Sequence, residues 1–189
     1  MLTQPRSWQR TSGGVTAPRG FLAAGVHCGI KQRKLDLALL VSETPATVAG
    51  VFTTNRIKAA PVLWCQEVVR RGVARAVVVN SGNANACTGD RGWQDAREMA
   101  ERTAQALGVP PEQVLVASTG VIGVPLPMDA VRRGIVLAAR SLSRSGDDAA
   151  EAILTTDAFP KTSAVVTTLG GVPVTVGGMA KGAGMIHPR

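Results

Sequence analysis

The chain has no tyrosine, and aromatic residues make up only 3% of its 189 positions. That scarcity leaves little on which nucleic-acid bases could stack. The formal net charge of +8 would otherwise invite a polyanion. Its cations, however, are dispersed in short pairs such as Arg70-Arg71 and Arg132-Arg133. They read as a solvated basic surface or a face that meets an acidic subunit, and no nucleic-acid partner is expected. A basic binding module would be the non-enzymatic alternative, with salt-sensitive affinity for polyanions.

Cysteine and histidine are equally sparse. Cys28, Cys65 and Cys87 are odd in number and far apart, without a C-x-x-C pair or a histidine at ligand spacing. This argues against a zinc site and a disulfide framework, and all three read as buried free thiols. His27 and His187 stand at opposite ends of the chain and read as structural or surface residues. No run of about 18 apolar residues spans a bilayer, and the N-terminus lacks the apolar stretch of a secretory signal. A cytoplasmic protein with neither membrane segment nor metal is the expectation.

What is present is a 45% hydrophobic composition, enough for one substantial core. Residues 1–20 are polar and punctuated by Gly and Pro, and read as a loosely ordered arm before a single domain over residues 21–189. LDLALLVSE (35–43) and TVAGVFTT (47–54) read as strands joined by a turn at Pro45. A short amphipathic helix follows Pro61 and ends at Gly72. ARAVVVN (74–80) is a continuous apolar run, as in a strand buried on both faces.

That strand empties into NSGNANACTGDRG (80–92), and a helix follows in which Ala96, Met99, Ala100, Thr103, Ala104 and Leu107 form one stripe ending at Gly108. The order then repeats: VLVAS as strand, TGVIG as loop, and a helix over residues 128–142. A short helix, DDAAEAIL, leads to Thr155-Thr156-Asp157. KTSAVVTTL and VPVTV flank Gly170-Gly171 as a hairpin. The fold class is α/β. Binding loops tend to lie at the carboxyl ends of buried strands, so NSGNANACTG and STGVIG are the first places to look for a site, although either also serves as a tight strand-to-helix turn.

GGMAKGAG (177–184) is neither a P-loop nor a dinucleotide fingerprint, because its spacing is wrong and no Ser/Thr follows the lysine. The remaining polar groups suit acyl chemistry. Thr119 and Gly120 offer a hydroxyl and a backbone N–H for one developing oxyanion. Thr155, Thr156 and Lys181 offer a polar or cationic grip on substrate. Lys181 could also be a nucleophile or merely exposed; its small neighbours argue against the desolvation an amine nucleophile needs. No other nucleophile is evident.

Four stretches together, NSGNANACTG, ASTGVIG with LPM behind it, AILTTD with Lys161 following, and GGMAKGAGMIHP, resemble the α-chain of the ornithine acetyltransferase family. GVTAPRGFLAAGV and FTTNRIKAAPV extend the likeness over nearly the whole chain. This family comprises the bifunctional glutamate N-acetyltransferase and amino-acid acetyltransferase of arginine biosynthesis. The resemblance implies a layered α/β sandwich of the kind shared with self-processing aminopeptidases. It also implies a precursor that cuts itself at an Ala-Thr bond, so that the nucleophile is the N-terminal threonine of a β-chain.

Carried onto this sequence, the resemblance makes Thr119 and Gly120 the oxyanion hole. Lys181 and one of Thr155 and Thr156, with Thr155 favoured, become substrate-binding residues. Asn80, Asn83 and Asn85 are placed near the pocket or, as neutral amides at a strand end, only hold the turn. N-acetylornithine donates and glutamate accepts, no cofactor stays bound, acetyl-CoA is a candidate second donor, and the assembly is α2β2. Arg189 after Pro188 departs from the family's usual asparagine, and the sequence stops before any Met-Ala. The competing enzymatic expectation is an N-terminal-nucleophile hydrolase that releases the acyl group to water.

Overall fold

A computed structural model describes residues 8–184. Eleven strands and α-helices follow one another among them. They are β1 (Gln9–Thr11), β2 (Phe21–Val26), β3 (Leu37–Thr47), α1 (Ala60–Arg70), β4 (Val73–Asn83), α2 (Gly89–Leu107), β5 (Val114–Val121), α3 (Met128–Arg140), α4 (Asp147–Ala152), β6 (Lys161–Leu169) and β7 (Val172–Ala180).

The larger sheet has the order β2-β3-β4-β5. β2 and β3 pair antiparallel, as do β3 and β4, whereas β4 and β5 run parallel because α2 carries the chain back between them. Period-two alternation sorts the side chains of β3. Leu37, Leu39 and Val41 join Val78, Val116, Met99, Ala100, Val131 and Ile135 in the main core beneath the helices. Ala38 and Leu40 point to the other face, where Ala23, Ala149, Ala152 and Ile153 form a second cluster under α4. A second sheet, β1-β6-β7, is antiparallel throughout, and Met179 of β7 packs against that second cluster. The result is the layered α/β arrangement that the resemblance implied.

Several local expectations change. Within the stretch expected to be a loose arm, Gln9–Thr11 pair with β6, and Thr16 is buried with its hydroxyl donating to the Arg144 carbonyl at 2.8 Å. Phe21–Val26, not read as a strand, forms the edge of the larger sheet. The expected strand over residues 47–54 does not form. Instead β3 continues through Pro45 to Thr47, with a register shift against β4 between Val41 and Ala46. Proline lacks an N–H for the ladder, and an irregularity of this kind tolerates it. The Arg75 guanidinium donates to the Ser42 and Glu43 carbonyls that the irregularity leaves over.

Cys28 and Cys65 are buried as expected, but Cys87 is exposed on the turn after β4. At the sheet's outer edge, Trp64 Nε1 donates to the Val114 carbonyl and Cys65 Sγ to the Val116 carbonyl, so α1 covers part of β5. His27 is a partly exposed surface residue with Nδ1 2.8 Å from the Lys34 carbonyl. His187 and Arg189 lie outside the described residues.

Candidate functional site

Parallel pairing of β4 and β5 brings their carboxyl ends side by side, with Ser81 opposite Thr119 and Gly82 opposite Gly120. Both strands run further than the sequence suggested: the first residues of NSGNANACTG and STGVIG are strand, and the turns begin later. Gly120 has φ 138°, a region that side chains rarely adopt, and a Cβ there would collide with the backbone of Gly82 and Asn83. Only glycine lets the two strand ends approach this closely.

Three other segments close over these ends. The stretch after α4 supplies Thr155 and Thr156, the residues after β7 supply Lys181, and the β2–β3 connection supplies Lys31. Together with Thr119, Gly120 and Gly82 they line an open cavity of about 750 Å³. All five substrate and oxyanion candidates, Thr119, Gly120, Thr155, Thr156 and Lys181, therefore border one space.

Within it, Lys181 Nζ donates to Thr119 Oγ1 at 2.9 Å. A threonine hydroxyl that accepts from an ammonium keeps its own proton to donate elsewhere, so Thr119 remains a donor toward the cavity. A carboxylate or a developing oxyanion brought here would meet that hydroxyl, the remaining ammonium protons and nearby backbone. Among the described residues that line the cavity there is no cysteine, histidine or carboxylate to act as nucleophile or base.

Lys31 was not singled out in the sequence. Its Nζ donates to the Leu35 carbonyl at 2.9 Å and to the Leu154 carbonyl at 2.7 Å, which fastens the β2–β3 connection to the residue before Thr155. Burial lowers its pKa, with the Asp36 charge opposing. The backbone of Lys31 is set in turn by Asp36, whose fully buried carboxylate accepts from the N–H groups of Cys28, Gly29, Ile30 and Lys31 at 2.7–3.1 Å. Burial by itself would raise the Asp36 pKa, but the N–H donors outweigh it and the group titrates below its ordinary value. Burial, reinforced by Asp36, pushes the Cys28 thiol up to about 12, so it stays protonated and unreactive at neutral pH.

Asp157 was likewise missed. Hydrogen bonding from Lys161 Nζ, then from the Gly182 N–H, holds its carboxyl well below the usual range. A carboxylate directly after two threonines was the available signal. For Lys31 the signal was weaker: a lysine on a tight connection five residues before an aspartate.

The three asparagines build the turn and do not line the cavity. Asn80 Nδ2 donates to the Asn83 carbonyl, and Asn83 Nδ2 reaches the Val124 and Pro125 carbonyls at 2.9 and 3.2 Å. Asn83 Oδ1 accepts the Asn85 N–H, while Asn85 links Gly92 and Thr88 at 2.8 Å each. Small amides at a strand end satisfy stranded backbone groups, and here they tie the turn after β4 to the loop after β5.

A family model described as the ArgJ family matches residues 22–189. Among curated relatives, the arginine biosynthesis bifunctional protein ArgJ of Symbiobacterium thermophilum is 59% identical over 182 residues, covering 94% of this chain and 45% of the relative. The protein of the same name from Caldanaerobacter subterraneus is 55% identical over 178 residues, covering 94% and 44%. This chain thus spans less than half the length of these curated relatives. A crystal structure of the Bacillus halodurans protein superimposes with a TM-score of 0.92 at 43% identity, covering 98% of this chain and 99% of that one. Ornithine acetyltransferase from Mycobacterium tuberculosis, crystallised with ornithine, gives 0.91 at 47% identity, covering 97% and 99%.

Proposed function

The chain belongs to the ArgJ family, and from that membership we propose that it forms one part of an acetyltransferase that moves the acetyl group of N-acetylornithine to glutamate. The observation that carries this reading is the pairing of Lys181 with Thr119 beside Gly120, in a cavity that Thr155 and Thr156 also line. A cation, a hydroxyl and a glycine backbone come together where a carboxylate-bearing amide can be held and an oxyanion stabilised. No cysteine, histidine or carboxylate lines that cavity among the described residues to act as nucleophile or base.

The nucleophile in this proposal is the N-terminal threonine of a β-chain from the same precursor, with two copies of each chain in a cytoplasmic assembly. Its free α-amine has a reference pKa near about 7.7–8.0 and takes the hydroxyl proton as general base. The hydroxyl oxygen attacks the acetyl carbonyl carbon. Thr119 and Gly120 receive the oxyanion, and the C–N bond breaks as the α-amine returns the proton to ornithine. The acetyl-threonine left behind is attacked by the amine of glutamate, which yields N-acetylglutamate and restores the threonine. Lys181 and Thr155 hold the amino-acid portion common to donor and acceptor, which explains how one site serves both half-reactions. Among the described residues no helix is long and apolar enough to cross a membrane.

The relatives' names call them bifunctional, and acetyl-CoA is the second donor we propose to assay. The test is steady-state kinetics on the assembled enzyme with N-acetylornithine and glutamate both varied. Parallel double-reciprocal lines and no sustained ornithine release without glutamate support transfer. Sustained release into water identifies a hydrolase instead.

A further inference from the structure

Beyond the end of β7, the described residues 181–184 contain two glycines and are fastened to the rest of the chain by two hydrogen bonds. One is Lys181 to Thr119, and the other is the Gly182 N–H to Asp157 Oδ1 at 2.6 Å. The same Oδ1 accepts from Lys161 Nζ at 2.7 Å, and Oδ2 accepts the Thr155 N–H at 3.4 Å. The Asp157 side chain has no solvent exposure. One carboxylate thus gathers the residue after Lys181, the first residue of β6, and Thr155.

We propose that Asp157 is the positioning residue of this site, holding the Lys181–Gly182 backbone and the Thr155 backbone to one point and thereby fixing the spacing between the two groups that grip substrate. The inference rests on the function proposed above. Asp157 does not itself line the cavity; it acts through the backbone. Its geometry suits that role. A glycine-rich segment has wide backbone freedom, so one strong, charge-assisted hydrogen bond at Gly182 decides where the neighbouring lysine sits. Lys161 completes the arrangement by neutralising the buried carboxylate, and its ammonium lies over the Phe159 ring, with Nζ 5.0 Å from the ring centroid. On the opposite side, Lys31 holds the Leu154 carbonyl, so the Thr155 segment is fixed from both flanks.

The experiment compares Asp157→Ala, Asp157→Asn, Lys181→Met and the Asp157→Asn/Lys181→Met double variant on the assembled enzyme. Asp157→Ala is expected to raise KM for N-acetylornithine about tenfold or more, with a smaller change in kcat. Asp157→Asn, which keeps an acceptor for the Gly182 N–H, is expected to recover part of that loss. In the Lys181→Met background the Asp157→Asn effect on KM should shrink, because only the Thr155 grip is left for Asp157 to position. A full-sized effect of Asp157→Asn in that background overturns the proposal.

A second readout needs no substrate. Hydrogen exchange across residues 181–184 should accelerate in the Asp157 variants while the β6 and β7 amides keep their protection. Unchanged exchange at Gly182 in both Asp157 variants overturns the positioning role even if the kinetics move. Should Asp157→Ala fail to fold, the Asn variant carries both readouts. Should the wild type not turn over N-acetylornithine at all, the proposed function fails, and the exchange result still decides whether Asp157 holds Gly182.

Discussion

Lys181 and Thr119 lie 62 residues apart in the chain and 2.9 Å apart in the fold, ammonium to hydroxyl. Neither is distinctive alone. Together, at the mouth of two parallel strands, they make a charged donor and a neutral donor that face the same cavity.

Thr119→Val removes the hydroxyl and keeps the shape. If Thr119 donates to the transition-state oxyanion, kcat for acetyl transfer falls about 10²–10³-fold while KM changes little. Thr119→Ser should keep most of the activity. Steady-state kinetics on the two variants checks this, and a pure KM effect would reassign Thr119 to ground-state binding.

Gly120→Ala tests the strand ends. At φ 138°, with a Cβ directed into the Gly82 backbone, alanine forces β4 and β5 apart. The expected outcome is loss of activity together with about 2 kcal/mol or more of stability, measured by denaturant unfolding.

The legible part of the fold was its periodic part. The stripe from Ala96 to Leu107 and the Gly108 stop specified α2, and the two strand-loop-helix units gave the parallel pair that creates the site. β2 was illegible because FLAAGV is short and half small residues, so its strand character comes from pairing with β3. Pro45 looked like a turn because local sequence carries no sign of the register shift that accommodates it. Lys31 was only faintly marked for a different reason: its second acceptor, the Leu154 carbonyl, arrives from 123 residues further along. Asn80, Asn83 and Asn85 drew attention for the right chemistry but serve the turn, since asparagine suits both tasks equally well.

Asp36 makes stability depend on acid. Its folded pKa is depressed, so its contribution is complete above the ordinary carboxylate value of about 3.9 and is lost as pH falls below it toward the folded value. Asp36→Asn turns an amide N–H₂ toward backbone donors and should cost about 3 kcal/mol at neutral pH. The same variant should flatten the acid limb of a Tm-against-pH profile; an unchanged limb would show that the cradle does not titrate there.

Asp95 predicts the opposite sign. It is buried on α2, its Oδ2 has no hydrogen-bond partner among the described residues, and Arg91 stands 4.0 Å away. Burial raises its pKa, with Arg91 opposing. Folding therefore favours the protonated form, and the cost of the charge grows as pH rises through the ordinary value toward the raised one. Asp95→Asn should stabilise the protein by about 1 kcal/mol at pH 7 and by nothing below about pH 3. Thermal unfolding at the two pH values distinguishes this from a general packing effect.

The most direct measurement is a single turnover with N-acetylornithine labelled in its acetyl group, the assembled enzyme in excess, and no glutamate present. The account predicts one burst of ornithine, matched by label covalently held on a threonine of the complementary chain and discharged as labelled N-acetylglutamate when glutamate is added. Label appearing as free acetate, with none retained on protein, would contradict it.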